Sequence, residues 1–406
     1  MTFAFPNVLG WVSLRRKAAP THTRAQPAQN HARARERRPR IESLEGRCLM
    51  AVDPVVAAYQ ARATQVLQAN VSSLKNWASA QTGTDNLATS GLSEWTAAAG
   101  FAQSGTDPAA VSAGYLLMAN LMEYRTTHLF GGGNDGWEAW ATADTYVRYR
   151  SVIQAAPGRY APSGYATNTA SGDGKYSLDE LCKIVLTQSY YAPIDSTSNH
   201  YLMNATACFL ANQAFPGQVV KNFNNSTSDP IGAVHLYSRA YGIAQGGPGE
   251  FLSINYGGAN WYEFLSLSQL TTSPTYTYLA NASRLAFETT LAMYAGFWMN
   301  GQVAGPTGRG YPNTGAWGAS DGDAPTWVYF GGDYGQAAQQ LAYATDTNVK
   351  VFAVLASEAS LSLTHTGAPA PYTPPTNILA LYNPATPIVT QTNFNGDYQY
   401  AYNNGL

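Results

Sequence analysis

DPVVAAYQARATQVLQANVSSLKNW, residues 53–77, is the stretch whose reading decides the fold class. Its apolar side chains recur three or four positions apart, at Val55, Val56, Tyr59, Ala63, Val66, Leu67, Val71, Leu74 and Trp77. That spacing places them on one face of an α-helix. Asp53 followed by Pro54 supplies an N-cap and a proline at the first helical position. The segment is therefore read as an amphipathic helix opening at residue 53.

Further downstream the same period returns. Asp107-Pro108 signals a second helix, continuing through Val111, Tyr115, Leu116, Met118, Leu121 and Met122. A third is read after Asp144, a fourth over 178–190 and a fifth over 199–214, stopped before Pro216. Further helical patterns cover 230–245, 260–270, 275–299, 335–345 and 349–362, separated by loops rich in Gly and Pro. Strand-like alternation is sparse. About ten helices that pair off as successive hairpins predict an all-α array. From Thr364 the chain becomes Pro-rich, with a short helix read at 377–382, and looks like the entry to a β-rich domain. The domain reading is a head at 1–51, a helical body at 52–363 and a tail at 364–406.

Upstream of the quoted stretch the composition changes sharply. Of the 23 Lys and Arg, ten lie in residues 1–50, against three of the 25 acids. The remaining 13 basic and 22 acidic residues give the body an acidic balance. A basic head on an acidic body is a targeting pattern, and the acidic body argues against nucleic acid as a partner. No run approaches the length and apolarity of a transmembrane helix. The charged fraction is 12% while the chain holds 27 Tyr and 9 Trp, a composition suited to sugar-like surfaces. Cys182 and Cys208 sit in helical patterns and are read either as one disulfide or as two buried thiols.

Residues 37–51, RRPRIESLEGRCLMA, resemble the LEPR-XLL motif found near the N-terminus of many large exported proteins of planctomycete-type bacteria. Leu44, Glu45, Arg47 and Leu49 fit; Gly46 stands where the family has Pro, and Met50 where it has Leu. The resemblance implies an extracellular or cell-surface address; residues 1–36, rich in Arg, Ala and His with little periodicity, are expected to be disordered in any case.

Three stretches of the body offer chemistry. Ser198-Asn199-His200-Tyr201 opens a helix, where backbone N–H groups favour an anion such as a uronate carboxylate. Glu250 to Tyr256, followed by Asn260-Trp261-Tyr262-Glu263, sets carboxylates, Tyr hydroxyls and an indole among glycines. Gly308-Arg309-Gly310-Tyr311 is a glycine loop presenting one Arg and one Tyr. Each stretch alone also reads as ordinary capping or loop structure.

In this order the three stretches resemble the α/α-toroid proteins that include heparinase-like and alginate-lyase-like enzymes, over residues 170–385. The resemblance implies an incomplete α/α toroid of stacked helical hairpins. It also implies β-elimination of a uronic-acid polymer. Neutralising the carboxylate beside C5 stabilises the enolate that forms on proton loss, and Asn199, His200 and Arg309 carry suitable donors. Tyr256 is the first choice for the base, with Tyr262 and Tyr311 behind it. Glu250, Trp261, Tyr262 and Glu263 are then substrate-binding. No cofactor or metal is implied. The enzymes of the family carry a C-terminal β-sandwich that helps wall the cleft, and the tail stops short of one.

Two other functions stay open. A glycoside hydrolase on the same toroid needs two carboxylates flanking one cleft, and Glu250, Glu263, Asp321 and Asp323 are the available members. A non-catalytic glycan-binding or surface protein needs only aromatic residues along a groove. Residues 169–180 follow the register of an EF-hand loop, but Thr169 and Ser171 lack the required carboxylates, so the simpler reading is a turn entering a helix.

Overall fold

The computed structural model describes residues 42–80, 93–131, 136–158, 176–191, 198–247, 257–299, 302–303, 323–332 and 347–381. The chain divides into two units, Met1–Arg47 and Cys48–Leu406. Of the first, only the start of a helix is described, and the helical body belongs to the second. The described residues are all-α apart from one two-stranded antiparallel ladder. The helices are α1 (Glu42–Ala80), α2 (Ser93–Phe101), α3 (Pro108–Thr127), α4 (Gly136–Arg148), α5 (Arg150–Gln154), α6 (Leu178–Gln188), α7 (Ser198–Ala214), α8 (Ala233–Gly246), α9 (Gly257–Leu270), α10 (Thr277–Phe297), α11 (Asp323–Phe330), α12 (Thr347–Ser360) and α13 (Thr376–Leu381). The ladder joins β1 (Trp298–Met299) to β2 (Gln302–Val303). No helix among the described residues is long and apolar enough to cross a membrane.

Several expectations are corrected in detail. Helix α1 begins at Glu42, so Pro54 lies inside it instead of opening it. Leu, Glu, Arg and Met in residues 42–50 are good helix formers and extend the helix upstream. The third helix starts at Gly136, which leaves Asp144 inside α4, not at its cap. The pattern read at 335–345 falls outside the described residues, as do the EF-hand-like positions 169–175. At the end of that register, Glu180 completes a capping box. Its carboxylate accepts from the Ser177 backbone N–H at 2.7 Å, and its own N–H donates to Ser177 Oγ at 3.2 Å.

The element that orders the rest is a closed series of neighbours. Helix α2 contacts α4, α4 contacts α7, α7 contacts α9, α9 contacts α12, and α12 returns to α2. Side-chain pairs show that these five run in one direction. Thr142 of α4 donates to Glu94 near the start of α2 at 3.3 Å, and Phe101 at the end of α2 meets Tyr149 just past α4, rings 5.8 Å apart. Trp137 and His200 meet at the starts of α4 and α7, and Tyr146 and Phe215 meet near their ends. Gln213 donates to the Leu270 carbonyl, joining the ends of α7 and α9, and Gln269 donates to the Ala359 carbonyl at 3.0 Å, joining α9 to α12. Helices α3, α6, α8, α10 and α11 pack on the outside of this series.

The inner helices are buried nearly all round. In α2 every residue except Thr96 is buried. Small residues let α2 and α3 approach closely: a Cβ at Gly100 would lie 2.6 Å from the Ala110 carbonyl oxygen and 2.7 Å from Leu74 Cδ2. Because one obstacle is backbone, Gly100→Val is expected to force the helices apart and lower stability by about 1–3 kcal/mol. Urea unfolding measures this, and an unchanged midpoint would contradict the close packing.

At the C-terminal ends of the inner helices a segment from Leu361 to Pro375 crosses the body. Thr364 donates to the Ser104 carbonyl at 2.7 Å, Ser151 donates to that of Thr366 at 2.6 Å, and Gln269 donates to that of Ala370 at 2.9 Å. The Tyr372 N–H donates to the Ala359 carbonyl, and the Tyr372 carbonyl accepts from the Tyr59 hydroxyl of α1 at 3.2 Å. Residues 364–381 thus belong to the helical body, α13 packing on α10; residues 382–406 lie outside the described residues. Cys182 and Cys208 are buried free thiols, so the two-thiol reading holds.

Candidate functional site

Chemistry gathers at the opposite, N-terminal end of the inner helices. Glu94 lies in the first turn of α2, Glu138 in the first turn of α4, and Asn199-His200 in the first turn of α7. Arg125, on the last turn of α3, brings a guanidinium to Glu138 at 2.9 Å. The arginine is held in place by its surroundings: its guanidinium carbon lies 4.9 Å from the Phe130 ring centroid and 5.5 Å from that of Tyr124. Both members of the pair are mostly buried, with side-chain exposures of 10% and 16%.

Glu94 sits behind this pair. It is buried, accepts from Thr142 through Oε1, and its Oε2 has no hydrogen-bond partner. Burial, reinforced by the negative Glu138 and opposed by Arg125, pushes its carboxyl up to about 7. A carboxyl that exchanges its proton near neutrality is suited to general acid–base work. Glu138, ion-paired with Arg125, supplies a second carboxylate.

His200 is half-buried and accepts from the Trp137 indole N–H at 3.3 Å, while Asn199 beside it is buried. The other expected site residues fare differently. Trp261 and Tyr262 are core residues at 1% and 0% exposure. The Trp261 ring lies 5.0 Å from Phe287 and 5.1 Å from Tyr294, and the Tyr262 ring 5.5 Å from Phe287, between α9 and α10. Neither leaves a face on which a sugar could stack, which corrects their substrate-binding assignment. Glu250, Tyr256, Arg309, Tyr311 and Asp321 lie outside the described residues, and Asp323 opens α11.

Glu263 is enclosed in the core with neither carboxyl oxygen bonded. Burial raises its carboxyl well above the ordinary carboxylate range. Its proton is therefore retained on folding at pH values where the unfolded chain releases it. A raised folded-state value gives stability that is complete below the unfolded value of about 4.5 and declines as pH rises, by about 1.4 kcal/mol per unit while the folded carboxyl stays protonated. Glu263→Gln is expected to flatten that decline between pH 5 and 8, read from melting temperatures against wild type. A profile of the same slope would show that Glu263 ionises freely in the folded chain.

Sequence reading missed Glu94, Glu138, Arg125 and Trp137. For the two acids the available signal was a place in the first turn of a helix, a pattern that also suits the helix dipole and so reads as structural. No protein-family model, curated protein or solved structure matches this chain.

Proposed function

We propose that the chain is a carbohydrate-active enzyme on an incomplete α/α toroid, cleaving a glycan at the N-terminal end of its inner helices. The observation that carries this is the convergence there of Glu94, Glu138 and Arg125 from three helices. Two neighbouring carboxyls favour hydrolysis: Glu138, in the partly exposed pair with Arg125, faces the ligand, and Glu94, protonated and buried behind it, is the reserve from which the leaving oxygen draws its proton. The five parallel inner helices, contacting in closed order with outer helices packed on them, support the toroid reading.

A second reading, β-elimination of a uronic-acid polymer, is favoured by the position of Asn199-His200 at this same end. A helix N-terminus and an imidazole donor are suited to a uronate carboxylate. One experiment separates the two. The full chain is incubated with alginate, heparin-like and pectin-like polymers and with neutral glucans. New reducing ends without ultraviolet absorbance from an unsaturated uronate support hydrolysis; both signals together support elimination. Neither signal on any polymer would leave a non-catalytic glycan-binding role as the better reading.

The basic head and its LEPR-XLL-like segment further lead us to propose export to the cell surface or beyond. Sequencing the N-terminus of the mature protein from its host tests this, and a chain still beginning at Met1 inside the cell would refute it.

A further inference from the structure

His365 lies within the segment that crosses the C-terminal ends of the inner helices. The residues on either side fasten it down: Thr364 donates to the Ser104 carbonyl, and Ser151 donates to that of Thr366. The chain then turns, the His365 carbonyl accepting from the Ala368 N–H at 3.2 Å across Gly367, whose left-handed φ of 75° suits glycine. The imidazole packs on the Tyr149 ring, centroids 5.1 Å apart. Its Nδ1 lies 3.4 Å from Ser151 Oγ and 3.3 Å from the Thr366 carbonyl oxygen. Its Nε2 is buried with no hydrogen-bond partner. We propose that His365 is a pH latch: in its neutral form the crossing segment docks, and on protonation that segment lifts off the ends of the inner helices.

The surroundings accept a neutral ring and reject a cation. A neutral imidazole carries one N–H, which Ser151 Oγ or the Thr366 carbonyl can accept at Nδ1. An imidazolium carries two, and a buried Nε2–H has no acceptor. The charges beneath the segment do not help. Arg148, on the last turn of α4, is a buried permanent cation, and its two-pronged contact occupies the Asp144 carboxylate. Glu358 of α12 is buried, and burial together with Asp144 holds its carboxyl well above the ordinary range, so it keeps its proton. Burial likewise keeps the Tyr149 hydroxyl protonated. From α9 comes Gln269, a neutral amide bound to Arg148. One cation is thus already matched by one carboxylate, and a second cation has no counterion.

The sign follows from the same geometry. Burial, joined by Arg148 and opposed by the Thr366 carbonyl, holds the imidazole below its ordinary value. Docking is therefore strongest above the free value of about 6.5 and weakens as pH falls through the docked one, about tenfold in the docking equilibrium for each unit of depression. Glu94, Glu263 and Glu358, whose carboxyls are raised, act in the opposite sense and lose nothing in acid. The loosening is thus confined to histidines. His235 also has a buried, unbonded Nε2, but it lies on α8 against Tyr201 and Phe223, so its protonation is read at different amides.

The test follows the full chain from about pH 8 to about pH 5 by NMR, titrating the His365 ring and measuring amide exchange corrected for its intrinsic pH dependence. The reporter is the Tyr372 N–H, which is bonded to the Ala359 carbonyl and so exchanges only when the segment lifts. In wild type its protection is expected to fall in acid with the same midpoint as the His365 titration, while the α8 amides follow His235. His365→Phe keeps a ring on Tyr149 without a titrating nitrogen, and should hold the Tyr372 amide equally protected at both ends of the range. Constant protection in wild type overturns the proposal. So does an equal acid loss in folded His365→Phe, or a His365 ring that titrates at or above the free value. If the variant fails to fold, wild type decides alone: coincident midpoints support the latch, and separate ones overturn it.

Discussion

Arg148→Met is expected to destabilise the folded chain by about 3–5 kcal/mol, enough to unfold a marginally stable domain. Arg148 grips Asp144 with a two-pronged contact, Nε to Oδ1 and Nη2 to Oδ2, each 3.1 Å. Neither side chain is exposed. The third arm donates to Gln269 at 3.0 Å, and Gln269 passes the connection to the Ala359 and Ala370 carbonyls. One guanidinium thus ties α4 to α9, α12 and the crossing segment. Removing it strands the Asp144 carboxylate where water cannot solvate it. Nearby Glu358 is also buried, and burial together with Asp144 holds its carboxyl well above the ordinary range despite Arg148. The double variant Arg148→Met/Asp144→Leu is expected to regain most of the loss, since an apolar pair carries no desolvation cost. Denaturant unfolding of the set decides. A single variant within about 1 kcal/mol of wild type would mean the charges are solvated after all.

The second large effect concerns Glu94. If it gives a proton to a departing sugar oxygen, Glu94→Gln should lower turnover by about 10²- to 10⁴-fold. Wild-type activity should fall as pH rises through about 7, where Glu94 loses its proton. The same shift acts on stability, with a sign set by the raised folded-state value. Its contribution is complete below 4.5 and is lost as pH climbs from there to about 7. Above that the full cost is about 3 kcal/mol. Glu94→Gln should therefore melt higher than wild type at pH 8 although it turns over far more slowly. A variant with the wild-type pH–rate limb would show that another group donates the proton.

Much of the helical content was legible, for a reason that also explains the gaps. Helix α6, with one wet face and Ser177 at its start, carries both period and cap signals, while α3 announces itself through its Asp107-Pro108 entry. Helix α2, reading SEWTAAAGF, is buried on every side and so has no polar stripe to mark its period. The eight-residue α11, DAPTWVYF, is similarly short and apolar. At the candidate site, Asn199-His200 was visible because helix starts announce themselves in sequence. Glu94, Glu138 and Arg125 belong to three helices and form no motif. Only the packing of α2, α3 and α4 brings them together.

The hydrogen bond from Tyr59 to the Tyr372 carbonyl joins positions 313 residues apart. During synthesis the earliest part of the body must therefore wait for nearly the last. Helix α12, which completes the circle of inner neighbours, also emerges late. A nascent chain can form its hairpins one by one, yet it holds an unsealed seam between α2 and α9 until that helix arrives. Nonsense mutations before residue 347 should thus yield sticky, protease-sensitive products, whatever their share of intact helices. If the chain crosses a membrane before folding, final closure takes place on the far side, beyond the reach of cytosolic chaperones.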